Sequence, residues 1–142
     1  MSGLVDAGSE FGRRVAARLA AEDVVWLVTV DPRGVPQPTP VWFWWDGDDG
    51  IVVKSQPRTA KLRNVRAHPA VAVHLNATPS GGDVVVLTGA AEVDEAGPTD
   101  AERAAFDEKY ASAIRGLGMT PDAFHADYSE TVRVRAQRLR GF

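Results

Sequence analysis

Two runs of this chain carry apolar side chains at nearly every position, "VVWLVTV" (24–30) and "VWFWW" (41–45). Successive side chains of a strand alternate between its faces, so runs of this kind need cover on both sides. In the second run Trp42 and Trp44 take one face, while Val41, Phe43 and Trp45 take the other. A sheet with several such strands is best served by curling into a small closed barrel. Closure buries one face inside and leaves no free edge. The tryptophan strand is expected to form core or dimer interface.

The remaining chain supplies further strands and a few helices. Residues 9–22 predict a helix with Phe11, Val15, Ala16 and Leu19 on one stripe and Ser9 as its cap. "DPRG" (31–34) has the residues of a type I turn. The prolines of "PQPTP" (36–40) lack amide donors and argue against a regular central strand there. "IVVKS" (51–55), "VAVHLNA" (71–77), "DVVVLTGAAEV" (83–93) and the terminal "ETVRVRAQRLRGF" read as strands, and Gly89 as a bulge or bend. A helix is predicted from Arg58 to Ala67. Another runs from Thr99 to Ile114, opened by a Thr99–Glu102 capping box, and a short one follows in "TPDAFHADY". The predicted order is helix, three strands, helix, two strands, helix, strand. No βαβ alternation appears, so a parallel sheet is not expected.

Composition narrows the function. A length of 142 residues predicts one domain over 1–142, with an N-terminal helix ahead of the barrel. The absence of Cys excludes disulfides, thiolate metal sites and a cysteine nucleophile, and fits a cytoplasmic protein. Neither a targeting segment nor a membrane span is expected. His68, His74 and His125 lack metal-ligand spacing, so no metal site is expected. Ser55 and Ser129 lack a nucleophile-elbow context. A net charge of −3 argues against nucleic acid as a partner.

Against that charge, "VVKSQPRTAKLRNVRAHP" (52–69) holds Lys54, Arg58, Lys61, Arg63 and Arg66 and no acid. On a helical wheel Leu62 and Val65 lie about 40° either side of one apolar direction. Lys61 and Arg66 lie roughly 70° from it and Arg63 about 130°. Arg58 and Lys61 are therefore expected beside the packed face at the helix start, with Arg63 in solvent. Two readings follow. A strand end, a hydroxyl, unpaired helix amides and cations at one corner make an anion site suited to phosphate. Alternatively, the helix is a solvated basic face paired with the acids of 92–108, namely Glu92, Asp94, Glu95, Asp100, Glu102, Asp107 and Glu108.

The segments "DPRGVPQPTPVWF" and "KSQPRTAKLRNVRAHP", with the strand order around them, resemble the pyridoxamine 5′-phosphate oxidase-like superfamily. They are most similar to its branch using the deazaflavin coenzyme F420. The resemblance runs from about Val24 to the C-terminus. It implies a mainly β fold with flanking helices, a homodimeric split β-barrel carrying its cofactor in a groove between protomers. It implies that Lys54, Ser55, Arg58, Thr59 and Lys61 hold the cofactor phosphate. Pro40, Val41 and Trp42 would lie along the ring system, with Gln56 as a polar contact. The ending "AQRLRGF" lacks the proline of the segment that helps hold pyridoxal in vitamin B6 oxidases, so B6 oxidation is not expected. The implied function is F420-dependent hydride transfer to a small organic substrate. FMN oxidoreduction on the same barrel and a non-catalytic flavin or deazaflavin carrier are the alternatives. No side chain stands out as catalytic acid or base.

Overall fold

The structure is a computed structural model and describes residues 3–142. Its elements are α1 (Glu10–Ala21), β1 (Val25–Val30), β2 (Pro36–Val41), β3 (Phe43–Trp45), β4 (Gly50–Ser55), α2 (Ala60–Ala67), β5 (Ala70–His74), β6 (Val85–Val93), α3 (Asp100–Lys109), α4 (Ala111–Gly116), α5 (Pro121–Asp127) and β7 (Glu130–Gly141). The seven strands form one antiparallel sheet ordered β2-β1-β5-β6-β7-β4-β3.

Edge strands β2 and β3 lie at opposite ends of that order, yet only Trp42 separates them in the chain. The sheet must therefore curl until its two edges meet at this residue. This is the split barrel that the resemblance implies, and it replaces the closed barrel that the strand pattern alone suggested. No ladder joins β2 to β3 among the described residues, and the chain itself spans the gap.

The sequence reading also missed β2 as a strand. Pro36, Pro38 and Pro40 pair with Val30, Val28 and Trp26, and among the described residues β1 is the only neighbour of β2. Alternate residues of an edge strand turn their amides away from the ladder. Three prolines at alternate positions remove only outward donors and blunt the edge against further pairing.

The barrel interior holds the main core, including Leu27, Phe43, Ile51, Val53, Val73, Leu87, Val132 and Val134. Helix α1 adds Val15 and Leu19, and α2 adds Leu62 and Val65, all at most 2% exposed. Ser9 Oγ caps α1 by accepting from the Gly12 amide at 2.9 Å, as its sequence predicts. Gly89 sits at a register shift against β7, where a Cβ would come within 2.1 Å of the Arg135 carbonyl oxygen. Only glycine permits that approach.

A second apolar cluster lies outside the barrel, built on Phe106, Tyr110, Ile114 and Phe124 from the α3–α5 region. Trp42 and Trp44 pack there, while Val41, Phe43 and Trp45 belong to the inner core, following the predicted alternation. The β1 run departs from expectation: Val25, Leu27 and Thr29 are buried, but Trp26, Val28 and Val30 remain only partly covered.

The single helix expected over 99–114 is broken at Tyr110. The Tyr110 hydroxyl accepts from the Phe43 amide at 2.8 Å and lies 2.7 and 2.9 Å from the carbonyl oxygens of Asp23 and Phe43. Burial and these bonds outweigh continuation of the helix, because a buried phenol without partners is costly. The break thereby anchors the crossing between the two sheet edges.

Candidate functional site

The C-terminal end of β4 and the start of α2 meet a wall made by α4 and α5. Between them lies a cavity of about 470 Å³. Pro40, Val41, Trp42, Lys54, Gln56, Thr59 and Lys61 line one part of it, and Leu117, Phe124 and Tyr128 another, with Val24 completing the boundary. Of the residues singled out from the sequence, these first seven come together in one space.

Ser55 and Arg58 do not line it. Ser55 is buried, with its hydroxyl 3.1 Å from Thr59 Oγ1 and donating to the Gln56 carbonyl at 2.8 Å. Arg58 corrects the predicted helix start. It lies outside α2, exposed, with φ of 63°. Pro57 precedes it, and this left-handed conformation normally favours Gly or Asn. The turn cannot continue as helix from such a residue, so α2 begins two positions later.

Lys54 is 8% exposed, and its ammonium donates to Thr131 Oγ1 at 2.9 Å across the β4–β7 pair. Burial lowers its pKa, helped by the Arg103 charge, against opposing pulls from Glu130 and Asp107. Lys61 is partly buried and makes no hydrogen bond or ion pair among the described residues. Burial lowers its pKa as well. Both shifts have one physical meaning: each ammonium gives up water without gaining a sufficient counter-charge. Thr59 stands at the N-cap of α2 but makes no side-chain cap bond, since its hydroxyl is engaged with Ser55. The first amides of α2 therefore add unpaired donors to the same corner.

Three acids of the segment pair elsewhere. Arg133 binds Asp94 and Glu102, and Arg103 and His125 bind Asp107. Among the described residues no salt bridge involves Lys54, Arg58, Lys61, Arg63 or Arg66. Arg63 is exposed and donates to the Arg58 carbonyl at 3.0 Å. The solvated ion-pair reading of this stretch is thus set aside.

Four rings form a column beside the cavity, and Trp42, Phe124 and Tyr128 of these line it. Trp42 stacks on Tyr110 at 4.6 Å between centroids and on Phe124 at 5.5 Å, and Phe124 stacks on Tyr128 at 4.6 Å. Behind it Lys109 Nζ lies 3.6 Å from the Phe43 ring centroid and donates to the Phe43 carbonyl at 3.0 Å. Its pKa is lowered to about 8 by burial, against the pull of Asp23 and Glu22. Gln56 Nε2 donates to Asp127 Oδ2 at 3.1 Å and ties the β4–α2 corner to the end of α5. Sequence reading missed Leu117, Phe124 and Tyr128. The signal available was a Gly-flanked Leu and a Phe–Tyr pair at helical spacing, which ordinary packing explains equally well.

The chain belongs to the pyridoxamine 5′-phosphate oxidase family, whose model matches residues 11–141. Members of this family bind flavin-type cofactors. The fold is similar to that of an F420 reductase, 24% identical over 87% of this chain and 94% of that one, with a TM-score of 0.64. A conserved hypothetical protein from Mycobacterium tuberculosis is 23% identical over 93% and 82% of the two chains, at 0.69. The heme storage protein HutZ from Vibrio cholerae is 16% identical over 94% and 95%, at 0.67. At these identities the likeness is one of fold. No curated protein matches the chain.

Proposed function

We propose that this protein is a coenzyme F420-dependent oxidoreductase acting on a small organic substrate. One observation carries the reading. Two desolvated lysines, Lys54 and Lys61, face one cavity without a carboxylate partner, beside an uncapped helix start. A phosphate supplies the missing counter-charge, accepts the free amides and restores both ammonium pKa values. Ser55 and Thr59 orient the corner, Gln56 closes it against α5, and Arg58 adds long-range attraction from its rim. Pro40, Val41 and Trp42 border the ring. Bound there, the deazaflavin supplies the hydride chemistry, and the chain's residues bind, orient and exclude water.

The F420 reductase whose fold this chain shares supports deazaflavin as the cofactor. FMN is the runner-up because its phosphate has the same requirements. A second copy of the chain is the proposed partner. The half-covered Trp26, Val28 and Val30 leave an apolar outer sheet face that dimerisation would bury, and Pro40, opposite Trp26, joins that face to the cavity. Titration of the purified protein with F420 and FMN, followed by cofactor fluorescence, is the test. F420 is expected to bind more tightly, and its reduced form to be oxidised by an added organic acceptor. Failure of both cofactors to bind sinks the proposal. Binding without oxidation by any acceptor identifies a carrier instead.

A further inference from the structure

Trp42 borders the cavity, but Tyr110 and Phe124 both stack against its indole, at interplanar angles of 2° and 16°. Phe106 packs against both of these rings, at 4.7 Å from Tyr110 and 5.9 Å from Phe124, and closes the cluster from the side. Trp42 thus already stacks with two rings of the protein, and it is only partly exposed. Tyr128 ends the column differently. Phe124 covers it on one side at 4.6 Å, the ring borders the cavity, and its hydroxyl has no hydrogen-bond partner among the described residues.

We infer that Tyr128 is the ring-stacking residue of this site: a planar, delocalised ring lies against it, while Trp42 meets the ligand only at its edge. The inference rests on the proposed cofactor reading and adds to it the residue that fixes the ring plane. Aromatic rings attract each other in offset stacks with centroids a few ångströms apart, and a ring held by a column loses little freedom on binding. The cation corner and Tyr128 come from different elements on different walls. A ligand with a phosphate at one end and a flat ring at the other satisfies both; a simple anion satisfies only the first.

The test is a variant series titrated with F420, with FMN, and with riboflavin, which has the FMN ring without the phosphate. Tyr128→Leu is expected to weaken all three roughly tenfold, because the stack is lost whatever the ligand carries elsewhere. Lys61→Ala is expected to weaken F420 and FMN and to leave riboflavin unchanged. Tyr128→Phe and Tyr128→Trp keep a ring and are expected to keep affinity. Their bound-ligand visible absorption bands should shift in the order of ring electron richness, a response that a packing role would not produce. Wild-type affinity in Tyr128→Leu, or an absorption band unchanged across the ring series, overturns the inference and leaves the cofactor reading standing. Failure of the wild-type chain to bind any of the three probes overturns both.

Discussion

Arg133 and Lys61 are both cations at the edge of a cavity, and they illustrate opposite uses of charge. Arg133 holds Asp94 and Glu102 and donates to the Gly97 carbonyl at 3.2 Å, with Glu102 contacts of 2.7 Å on two nitrogens. Those bonds raise its pKa and lower that of Glu102 from 4.5 to about 2. Lys61 has no such partner, and its pKa moves down instead. Cations with partners inside the fold fasten β7 to the start of α3. Lys54 and Lys61 have no carboxylate partner among the described residues. The two shifts run in opposite directions because Arg133 gains carboxylate partners on folding while Lys61 gains only desolvation.

The largest expected effect falls on the fastened side. Arg133→Ala strands two carboxylates and is expected to cost about 2–3 kcal/mol of stability in urea unfolding, with cofactor affinity unchanged. Acid reads the same cluster. Glu102 has a depressed folded pKa, so its contribution is complete above 4.5 and disappears as pH falls towards about 2. Thermal melts across that window should show this loss, and Glu102→Gln should flatten it. A melt equally steep in both proteins would remove the cluster from the stability account.

The unpartnered side should behave in reverse. Lys61→Ala is expected to lower cofactor affinity about tenfold, roughly 1.4 kcal/mol, while leaving stability intact, because a desolvated charge has been removed. Arg63→Ala, already exposed, should change neither by more than about 0.5 kcal/mol. Equal losses of affinity from Lys61 and Arg63 would mean that charge alone, and not the cavity, attracts the ligand.

Arg58 yields a small effect of opposite sign. Its left-handed φ of 63° suits glycine, so Arg58→Gly is expected to raise stability by about 0.5–1 kcal/mol and to weaken cofactor binding modestly. A variant that loses stability would show that the arginine side chain supports the turn rather than the ligand.

Local rules were legible in the sequence. The Thr99–Glu102 capping box forms as its spacing requires, and Val132, Val134 and Ala136 face inward on β7 as alternation predicts. The cation corner was legible too, because Lys54, Thr59 and Lys61 are close along the chain and a strand–turn–helix brings them to one cavity. The Tyr110 break was not, since its cause is a pair of carbonyls 67 and 87 residues away. Neither were the prolines of β2, whose fitness for a strand depends on that strand having one neighbour. Nor was the place of Tyr128, which reaches the cavity of Lys61 from beyond β5, β6 and the helices that follow them.

By itself the sequence determined which side chains face together within each element, where α1 and α3 are capped, and that five cations share one short stretch. Periodicity, capping and turn chemistry act over a few residues, and one chain contains them. Only the tertiary structure decided that Trp42 joins the two sheet edges, and that Asp94, Glu102 and Asp107 pair with Arg133, Arg103 and His125 rather than with the basic stretch. Those outcomes depend on which distant groups reach each other first and lose their water together. Such a competition is settled by packing in three dimensions, and its result here is two lysines without carboxylate partners sharing a cavity with Trp42, Phe124 and Tyr128.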